Sequence, residues 1–360
     1  MSTTRLNALR KSLHEQNLDG LIVINRNQVR YLTGFYGHED MDGYLVMSGS
    51  QVVLFTDSRY TDYAKKVVRG ARVEIVTGAK IAALKEHSEF GRQNLRLGYH
   101  NGTMTVAILE QIESTLPDCL MISADKVFAE LGWVKDHGEL ASITKAVRIA
   151  DVAYERILCM VAPGIRERDL AAELEYQMSV LGSEKPAFES AVVSGYRSAM
   201  PHGLPTSKKL EKGDFVTFDF GATVDGYLCD ITRTVVVGKA TNRQKKIYDT
   251  VLRAQLAAIR KIKAGASGRA VDKTARDIIT KAGYGKNFGH GTGHGISMEI
   301  HSGPSLSPRV DNKLKAGNVI TVEPGIYISG WGGVRIEDDV VVTRTGCRVL
   351  NQAPKKLLEL

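Results

Sequence analysis

The sequence predicts an α/β (α+β) protein of two domains, the second of which is built from two related halves. Three observations support this. The chain has 360 residues, which is too long for one small domain. Helical and strand patterns alternate through roughly the first 125 residues. From residue 163 onward, a unit of glycine turn, helix and acidic hairpin occurs twice.

The N-terminal domain is predicted from short apolar runs that alternate with amphipathic segments. Strands are expected at residues 21–24, 43–47 and 52–55, and helices at residues 3–17, 59–69 and 105–116. This alternation is typical of an α/β domain with a mixed sheet. A long helical pattern over residues 143–160 follows a candidate boundary at 126–140. We therefore place the domains at residues 1–128 and 129–360.

Composition narrows the class of protein. The hydrophobic fraction of 43% and charged fraction of 24% are typical of a soluble globular protein. No apolar run is long enough for a membrane span, and the N-terminus lacks the apolar core of a signal peptide. Free, widely spaced cysteines suit a cytoplasmic protein and disfavour disulfides or thiolate zinc sites. These are Cys119, Cys159, Cys229 and Cys347.

The net charge of +8 is compatible with an acidic partner such as nucleic acid. However, the chain has no long basic run and no interleaving of basic with aromatic residues. A mildly basic, solvated surface is the better interpretation, and we expect no nucleic-acid partner.

The repeat in the second half has an offset of 101 residues, because residues 163–182 resemble residues 264–285. Gly164 then matches Gly265, and each copy is a glycine turn followed by a helix that ends near a glycine. Two helix–turn units can resemble each other by chance. The acidic hairpins that follow both copies in the same order favour duplication.

The first acidic hairpin spans residues 214–238, and Asp225-Gly226 is a strong two-residue turn pattern. With that turn, Asp219 faces Thr232, and Asp230 is the diagonal neighbour on the same face. A single buried aspartate is usually a turn or cap residue. Two unpaired carboxylates on one face repel each other and are costly to bury, so the pair indicates a bound cation.

The second acidic hairpin spans residues 318–343 and carries Glu323 and Glu337 on its two strands. Centring its glycine-rich loop on Trp331 places Glu323 opposite Asp339, with Glu337 as the diagonal neighbour. The same geometry is therefore predicted twice, as duplication of a half-domain requires.

Two neighbours of Glu337 have different predicted positions. Arg335 shares the face of Glu337 and can neutralise or orient it. Asp338 points to the other face, which leaves Asp339 as the competing ligand.

A glycine-rich segment at residues 287–303 contains His290, His294 and His301. The glycines disfavour a helix, and the glutamate of a helical zinc-protease motif is missing. An extended segment projects His290 and His294 to the same side. A lone histidine is more often structural, but this group beside two acidic hairpins favours a functional role. His202, just before the first hairpin, is a weaker candidate.

These motifs resemble the pita-bread metallopeptidases of family M24, which include methionine aminopeptidase, aminopeptidase P and prolidase. The strings FDFG, CDITRT, GHGTGHGIS, VEPGIY and GGVRIEDD are similar to the Xaa-Pro branch. NQVRYLTGFYG and FTDSRYTDYA resemble the N-terminal domain of creatinase. The resemblance implies a creatinase-like α/β domain followed by a pseudo-twofold pita-bread catalytic domain.

The resemblance also implies two divalent metal ions, bridged by Asp230 and Glu337. Asp219 completes the coordination of one ion, and His294 with Glu323 completes the coordination of the other. Four carboxylates and one imidazole form an oxygen-rich site that suits Mn2+ or Co2+, with Zn2+ as a further candidate.

The remaining site residues have expected roles in catalysis and substrate binding. Glu323 is the candidate proton shuttle. His301 is placed to stabilise the oxyanion, and His202 to hold substrate near the leaving group. His290 and Arg335 are expected to shape a prolyl pocket.

The expected function is hydrolysis of the peptide bond before proline in dipeptides or short peptides, by a cytoplasmic homodimer. One alternative is a methionine-aminopeptidase-like or phosphoester-type metallohydrolase. Another is a non-catalytic pita-bread binding protein, which loss of metal ligands would have favoured.

Overall fold

The computed structural model describes residues 2–87, 90 and 93–360. The chain divides into two compact units, residues 1–131 and residues 132–360. In the described part of the chain, no helix has the length and apolar character needed to cross a bilayer.

The first unit is a mixed sheet with helices, in the strand order β4-β3-β2-β1-β5-β6. Its strands are β1 (Gly20–Val23), β2 (Gly43–Ser48), β3 (Gln51–Asp57), β4 (Arg72–Val76), β5 (Arg96–Tyr99) and β6 (Leu120–Ser123). Its helices are α1 (Ser2–Glu15), α2 (Arg26–Thr33), α3 (Thr61–Val67), α4 (Val106–Thr115) and α5 (Asp125–Ala129), with 3-10 turns at Ser58–Tyr60 and Ile81–Glu86. The pairs β1/β2 and β2/β3 are antiparallel, whereas β3/β4, β1/β5 and β5/β6 are parallel.

Both faces of this sheet are buried, which explains its continuous apolar runs. Leu21 and Val23 of β1 pack in the cluster that contains α1 and α2. Ile22 belongs to the cluster on the opposite face. Strands covered on both faces read as unbroken apolar segments because alternation with polar residues is not needed. The predicted α/β class and mixed sheet are confirmed.

The second unit contains helices packed against several antiparallel sheets. Its helices are α6 (His137–Ile157), α7 (Glu167–Val180), α8 (Asn242–Lys261) and α9 (Gly268–Lys281), with 3-10 turns at Leu158–Met160, Gly195–Ala199 and Gly285–Asn287. Its strands are β7 (Ala191–Ser194), β8 (Phe215–Phe220), β9 (Thr223–Val224), β10 (Tyr227–Leu228), β11 (Ile231–Val236), β12 (Gly293–Gly295), β13 (Ser302–Leu306), β14 (Val319–Val322), β15 (Gly325–Ile328), β16 (Gly332–Arg335), β17 (Asp338–Val342) and β18 (Cys347–Val349). The sheet orders are β11-β8-β7, β13-β12-β14-β17-β18, β15-β16 and β10-β9.

The repeat is present at the predicted offset. Helix α7 begins at Glu167 and α9 at Gly268, and the two helices also end 101 positions apart. The matching turn glycines, Gly164 and Gly265, have φ of 92° and 81°. Only glycine adopts this left-handed conformation without steric cost, so the glycine at each start is a backbone requirement.

Alternation along the strands separates the helix-facing core from an acidic face. In β8, Phe218 and Phe220 pack on Tyr154 of α6, with ring centroids 5.7 and 6.1 Å away. Asp219, between them, projects to the opposite face. In β14, Ile320 and Val322 join the core formed with α8 and α9. The same period of two therefore builds the core and directs acidic groups away from it.

Candidate metal centre

The first acidic hairpin has the predicted register. Val224 pairs with Tyr227, and Asp219 pairs with Thr232. Asp225 and Gly226 have φ of 51° and 82°, and a two-residue type I′ turn requires positive φ at both of these positions. The turn chemistry therefore determines which residues lie opposite each other.

The second hairpin differs from its predicted register by two residues. Val322 pairs with Asp338, and Gly325 pairs with Arg335. Continuing this register puts Glu323 opposite Glu337, so the predicted pairing of Glu323 with Asp339 is wrong. The physical reason is the loop, whose centre is a left-handed Gly330 (φ 73°) instead of Trp331.

The acidic neighbours of Glu337 do not join the cluster. Asp338 points away, as predicted, and forms ion pairs with Arg233 at 2.8 Å and Lys355 at 2.7 Å. The carboxylate of Asp339 accepts a hydrogen bond from the backbone N–H of Asp230 at 2.9 Å. Asp339 is therefore placed to support a candidate ligand and not to compete with it.

His294 is positioned by the glycines on either side of it. Strand β12 lies between β13 and β14. A Cβ on Gly293 would lie 2.0 Å from the carbonyl oxygen of Thr321, and one on Gly295 would lie 2.0 Å from that of Gly303. The glycine-rich segment thus permits close backbone approach on both sides, and the extended conformation predicted for it is confirmed over residues 293–295.

The ring of His294 faces the acidic residues through Nε2. Its Nδ1 lies 3.1 Å from the Gly295 carbonyl oxygen, which favours the tautomer that donates there and leaves Nε2 free. Nε2 lies 3.7 Å from Asp230 Oδ2 and 3.5 Å from Glu323 Oε1. Burial lowers the pKa of His294 below its usual value, so the ring is neutral near pH 7 and can act as a ligand.

The central carboxylates are buried without sufficient partners. Asp230 is 6% exposed and Glu337 is 2% exposed. Within the described residues, Asp230 Oδ1 and Glu337 Oε1 have no hydrogen-bond partner. Burial, and then the neighbouring carboxylates, raise the pKa of both groups well above their ordinary values.

A divalent cation fits this arrangement. Candidate ligand atoms of Asp230, His294 and Glu337 all lie within 4.8 Å of one another. Buried charges are tolerated when they are paired or coordinate a metal, and a cation here would satisfy both unpartnered oxygens.

Thr232 and Arg335 hold the acidic groups in place. The Thr232 hydroxyl donates to Glu337 Oε2 at 2.6 Å and accepts from Arg335 Nε at 2.8 Å. Arg335 also forms a close ion pair with Asp219. Burial opposes the charge of Arg335, but Asp219 outweighs it and keeps the pKa of the guanidinium above its usual value.

A cavity of about 440 Å³ brings the predicted site residues together. It is lined by all of the predicted ligands and substrate-binding residues, namely His202, Asp219, Asp230, His290, His294, His301, Glu323, Arg335 and Glu337. His290 Nε2 lies 2.9 Å from the hydroxyl of Tyr327, which also accepts from Arg335 at 3.1 Å. The basic and acidic groups of the cavity lie in contact, since Arg335 pairs with Asp219 and His290 Nδ1 lies 3.8 Å from Glu323 Oε2.

Sequence reasoning missed Tyr327, which contacts two lining residues, and three residues that line the cavity themselves. Tyr327 links His290 to Arg335, and with the observed register of β15 and β16 it is a diagonal neighbour of Arg335. Correct placement of the loop would have revealed it. Phe188, Glu189 and Ile300 also line the cavity, and no motif in the sequence marked them.

Comparison with known proteins agrees with this geometry. The model of metallopeptidase family M24 matches residues 141–344, and that of the creatinase/prolidase N-terminal domain matches residues 5–131. The chain therefore belongs to metallopeptidase family M24, with a creatinase/prolidase N-terminal domain. The resemblance and the fold class predicted from the sequence are confirmed.

Individual relatives cover nearly the whole chain. An Xaa-Pro dipeptidase of Pyrococcus furiosus is 37% identical over 355 residues, covering 98% of this chain and 99% of the relative. The structure of an Xaa-Pro dipeptidase from Bacillus anthracis has a TM-score of 0.95 at 40% identity, with 100% of both chains covered. An X-Pro aminopeptidase from Thermotoga maritima has a TM-score of 0.89 at 36% identity, covering 97% of this chain and 100% of the other.

Proposed function

We propose that this metallopeptidase hydrolyses the peptide bond before proline, acting on Xaa-Pro dipeptides with two divalent ions. The observation that carries the proposal is the convergence of one imidazole and four carboxylates on a single cavity, with two buried oxygens left unpartnered. The relatives named Xaa-Pro dipeptidase support the substrate class.

The positions of the five residues support a division between two ions. Asp230 and Glu337 are the bridging candidates, because each is buried and has an oxygen that needs a partner. His294 and Glu323, 3.5 Å apart, would share one ion. Asp219 would complete the other. The oxygen-rich ligand set favours Mn2+, with Co2+ or Zn2+ as alternatives.

When bound, such ions activate water and polarise the scissile carbonyl. The protein would then supply proton transfer and charge stabilisation. We assign to Glu323 the transfer of a proton from the attacking water to the departing nitrogen. The ring centroid of His301 lies 4.5 Å from that of His294, so His301 could donate to the developing oxyanion.

We assign the proline end of the dipeptide to the part of the cavity around His290 and Arg335. The bond before proline is a tertiary amide, whose nitrogen has no hydrogen to donate. Recognition must therefore rely on ring shape and on the free carboxylate beyond it. His290 and Arg335, linked through Tyr327, are suited to both, and His202 is exposed beside them to hold the leaving group.

A second candidate is Xaa-Pro aminopeptidase activity on longer peptides, favoured by the likeness to the Thermotoga maritima X-Pro aminopeptidase. The two activities differ in how much chain the cavity accepts beyond proline. A cytoplasmic location and a homodimer remain parts of the proposal, and the free state of the cysteines supports the former.

The test compares Ala-Pro, Ala-Pro-Ala and Met-Ala as substrates after chelation and after addition of Mn2+, Co2+ or Zn2+. We expect metal-dependent cleavage of Ala-Pro above the other two. Preferential cleavage of Ala-Pro-Ala would favour the aminopeptidase. Cleavage of Met-Ala alone, or salt-sensitive nucleic-acid binding with no hydrolysis, would overturn the proposal.

A further inference from the structure

One acidic residue of the cavity, Glu189, is not among the candidate metal ligands. Glu189 lines the same cavity as Asp219 and Glu323 but is exposed. Among the residues that the structure describes, nothing forms a hydrogen bond or ion pair with its carboxylate. Its charge is therefore available to a ligand that enters the cavity.

The strand register indicates where this carboxylate lies. Ala191 pairs with Asp219 across β7 and β8, so their side chains share a face. Glu189 lies just before β7, in an irregular segment: Ala187 bonds to Gly221 while Ala191 pairs with Asp219, so residues 188–190 lie opposite the single residue Phe220. Within this bulge Glu189 is exposed and lines the cavity, whereas the following Ser190 is 2% exposed.

The position of Glu189 in the cavity, outside the group of candidate metal ligands, determines the part of the substrate that it can contact. The scissile carbonyl must lie at the ligand cluster, and the α-nitrogen is only about 2.5 Å from the carbonyl carbon along the chain. The α-ammonium must therefore stay beside the candidate metal ligands. The side chain of the residue before proline is free to extend outward, and a lysine ammonium reaches about 6 Å from its Cα.

The cavity also offers a path for the stem of a long side chain. Phe188 and Ile300 line it and provide apolar surface against which methylene groups can pack. Arg335 is paired with Asp219, whereas the exposed carboxylate of Glu189 has no charge partner among the described residues, so a substrate cation that reaches it meets an unneutralised anion.

We propose that Glu189 is a specificity-determining residue that selects substrates with a cationic side chain, lysine or arginine, before proline. This inference rests on the proposed function of the same site. It assigns no part in the chemistry to Glu189, which acts only through charge complementarity at the outer end of the cavity.

The kinetic test compares kcat/KM for Lys-Pro and Met-Pro, whose side chains have similar length but different charge. Glu189→Gln should lower the Lys-Pro to Met-Pro ratio about 5-fold, the size expected for a partly exposed ion pair. Glu189→Lys should shift preference toward Glu-Pro. Raising the salt toward 1 M should reduce the wild-type ratio, since the screening length falls to about 3 Å. The matched control is Glu155→Gln, which removes an exposed carboxylate of α6 that does not line the cavity.

A binding measurement separates this inference from the proposed activity. Calorimetry would use uncleavable analogues of Lys-Pro and Met-Pro in which a methylene group replaces the scissile carbonyl. The inference is supported if the wild type binds the lysine analogue more tightly than the methionine analogue and Glu189→Gln abolishes this difference. That result would hold even if no dipeptide is hydrolysed. If Glu189→Gln lowers the affinity for both analogues equally, Glu189 contacts the α-ammonium. If it lowers neither affinity, Glu189 does not contact the substrate. Either result overturns the inference while leaving Xaa-Pro hydrolysis intact.

Discussion

Asp230 and Asp338 are both buried aspartates, but their surroundings predict opposite effects of neutralisation. Asp338 accepts from Arg233, Lys355 and Gln255 at 2.7–2.8 Å, and these partners outweigh burial and lower its pKa. Asp230 has an oxygen without a partner among the described residues, and burial and Glu337 raise its pKa. In the metal-free protein, the first charge is stabilising and the second is not.

The magnitudes follow from these contacts. Asp230→Asn should raise the unfolding free energy of the metal-free protein by about 1–2 kcal/mol near pH 7, because it removes a buried charge that the neighbouring carboxylates repel. For a domain of this size that corresponds to a Tm about 2–8 °C higher. Asp338→Asn leaves a buried arginine without its anion and should lower the unfolding free energy by about 3–5 kcal/mol. Metal at a hundredfold excess over Kd should stabilise the wild type by about 2.7 kcal/mol, and Asp230→Asn should lose this gain along with nearly all activity.

The pH dependence has opposite signs at the two positions. Because the folded pKa of Asp230 is raised, its favourable contribution is present below the unfolded pKa near 3.9 and is lost as pH rises through the folded value. The difference in unfolding free energy between Asp230→Asn and the wild type should therefore grow as pH rises from 4 toward 7. The folded pKa of Asp338 is lowered, so its contribution is present above the unfolded pKa and lost as pH falls through the folded value.

The assay is thermal unfolding by circular dichroism, in chelator and in excess Mn2+, for the wild type and both variants. Lower stability of Asp230→Asn in chelator, together with an undiminished shift on adding Mn2+, would refute the assignment of Asp230 as an uncompensated metal ligand. A stabilising Asp338→Asn would refute the account of its ion pairs.

Three further predictions concern the same centre. Thr232→Val should weaken metal binding about 10- to 100-fold, measured by competition with a chelating dye, because it releases Glu337; unchanged affinity would contradict this. Gly293→Ala should lower the unfolding free energy by about 1–3 kcal/mol in denaturant titration, since the new Cβ meets the carbonyl oxygen of Thr321, and wild-type stability would count against the observed strand packing. Metal affinity by calorimetry should fall between pH 8 and pH 6, because protons compete for Asp230 and Glu337, whose pKa values are raised; a flat profile would disagree.

Much of the first hairpin was predictable because a local turn determines its register. Asp225-Gly226 adopts positive φ at both positions, and a two-residue turn leaves one possible pairing of the strands. The placement of Asp219 opposite Thr232 follows directly. The repeat was predictable for a similar reason, since a left-handed glycine precedes each helix at a constant spacing.

The second hairpin was not predictable to the same accuracy. Its loop contains several glycines, and any of them can occupy the left-handed position, so composition does not identify the centre. Pro324 also lacks a backbone donor, and the pairing divides there into β14/β17 and β15/β16. Tyr327 was missed because its position depends on that register. Glu189 was missed because only the three-dimensional cavity brings it near Asp219.

The alternation that builds the core is also what makes a strained acidic centre possible. Phe218 and Phe220 must face Tyr154, and Ile320 and Val322 must face α8 and α9. The residues that alternate with them, Asp219 and Glu323, are therefore directed to the other face whatever their charge. A slip of one residue would bury the carboxylates among apolar side chains. Each large apolar side chain contributes about 1.5–3 kcal/mol on burial, so these four together outweigh the cost of about 1–3 kcal/mol for one unpartnered oxygen. The core therefore holds the acidic groups together against their mutual repulsion, and a cation relieves that repulsion.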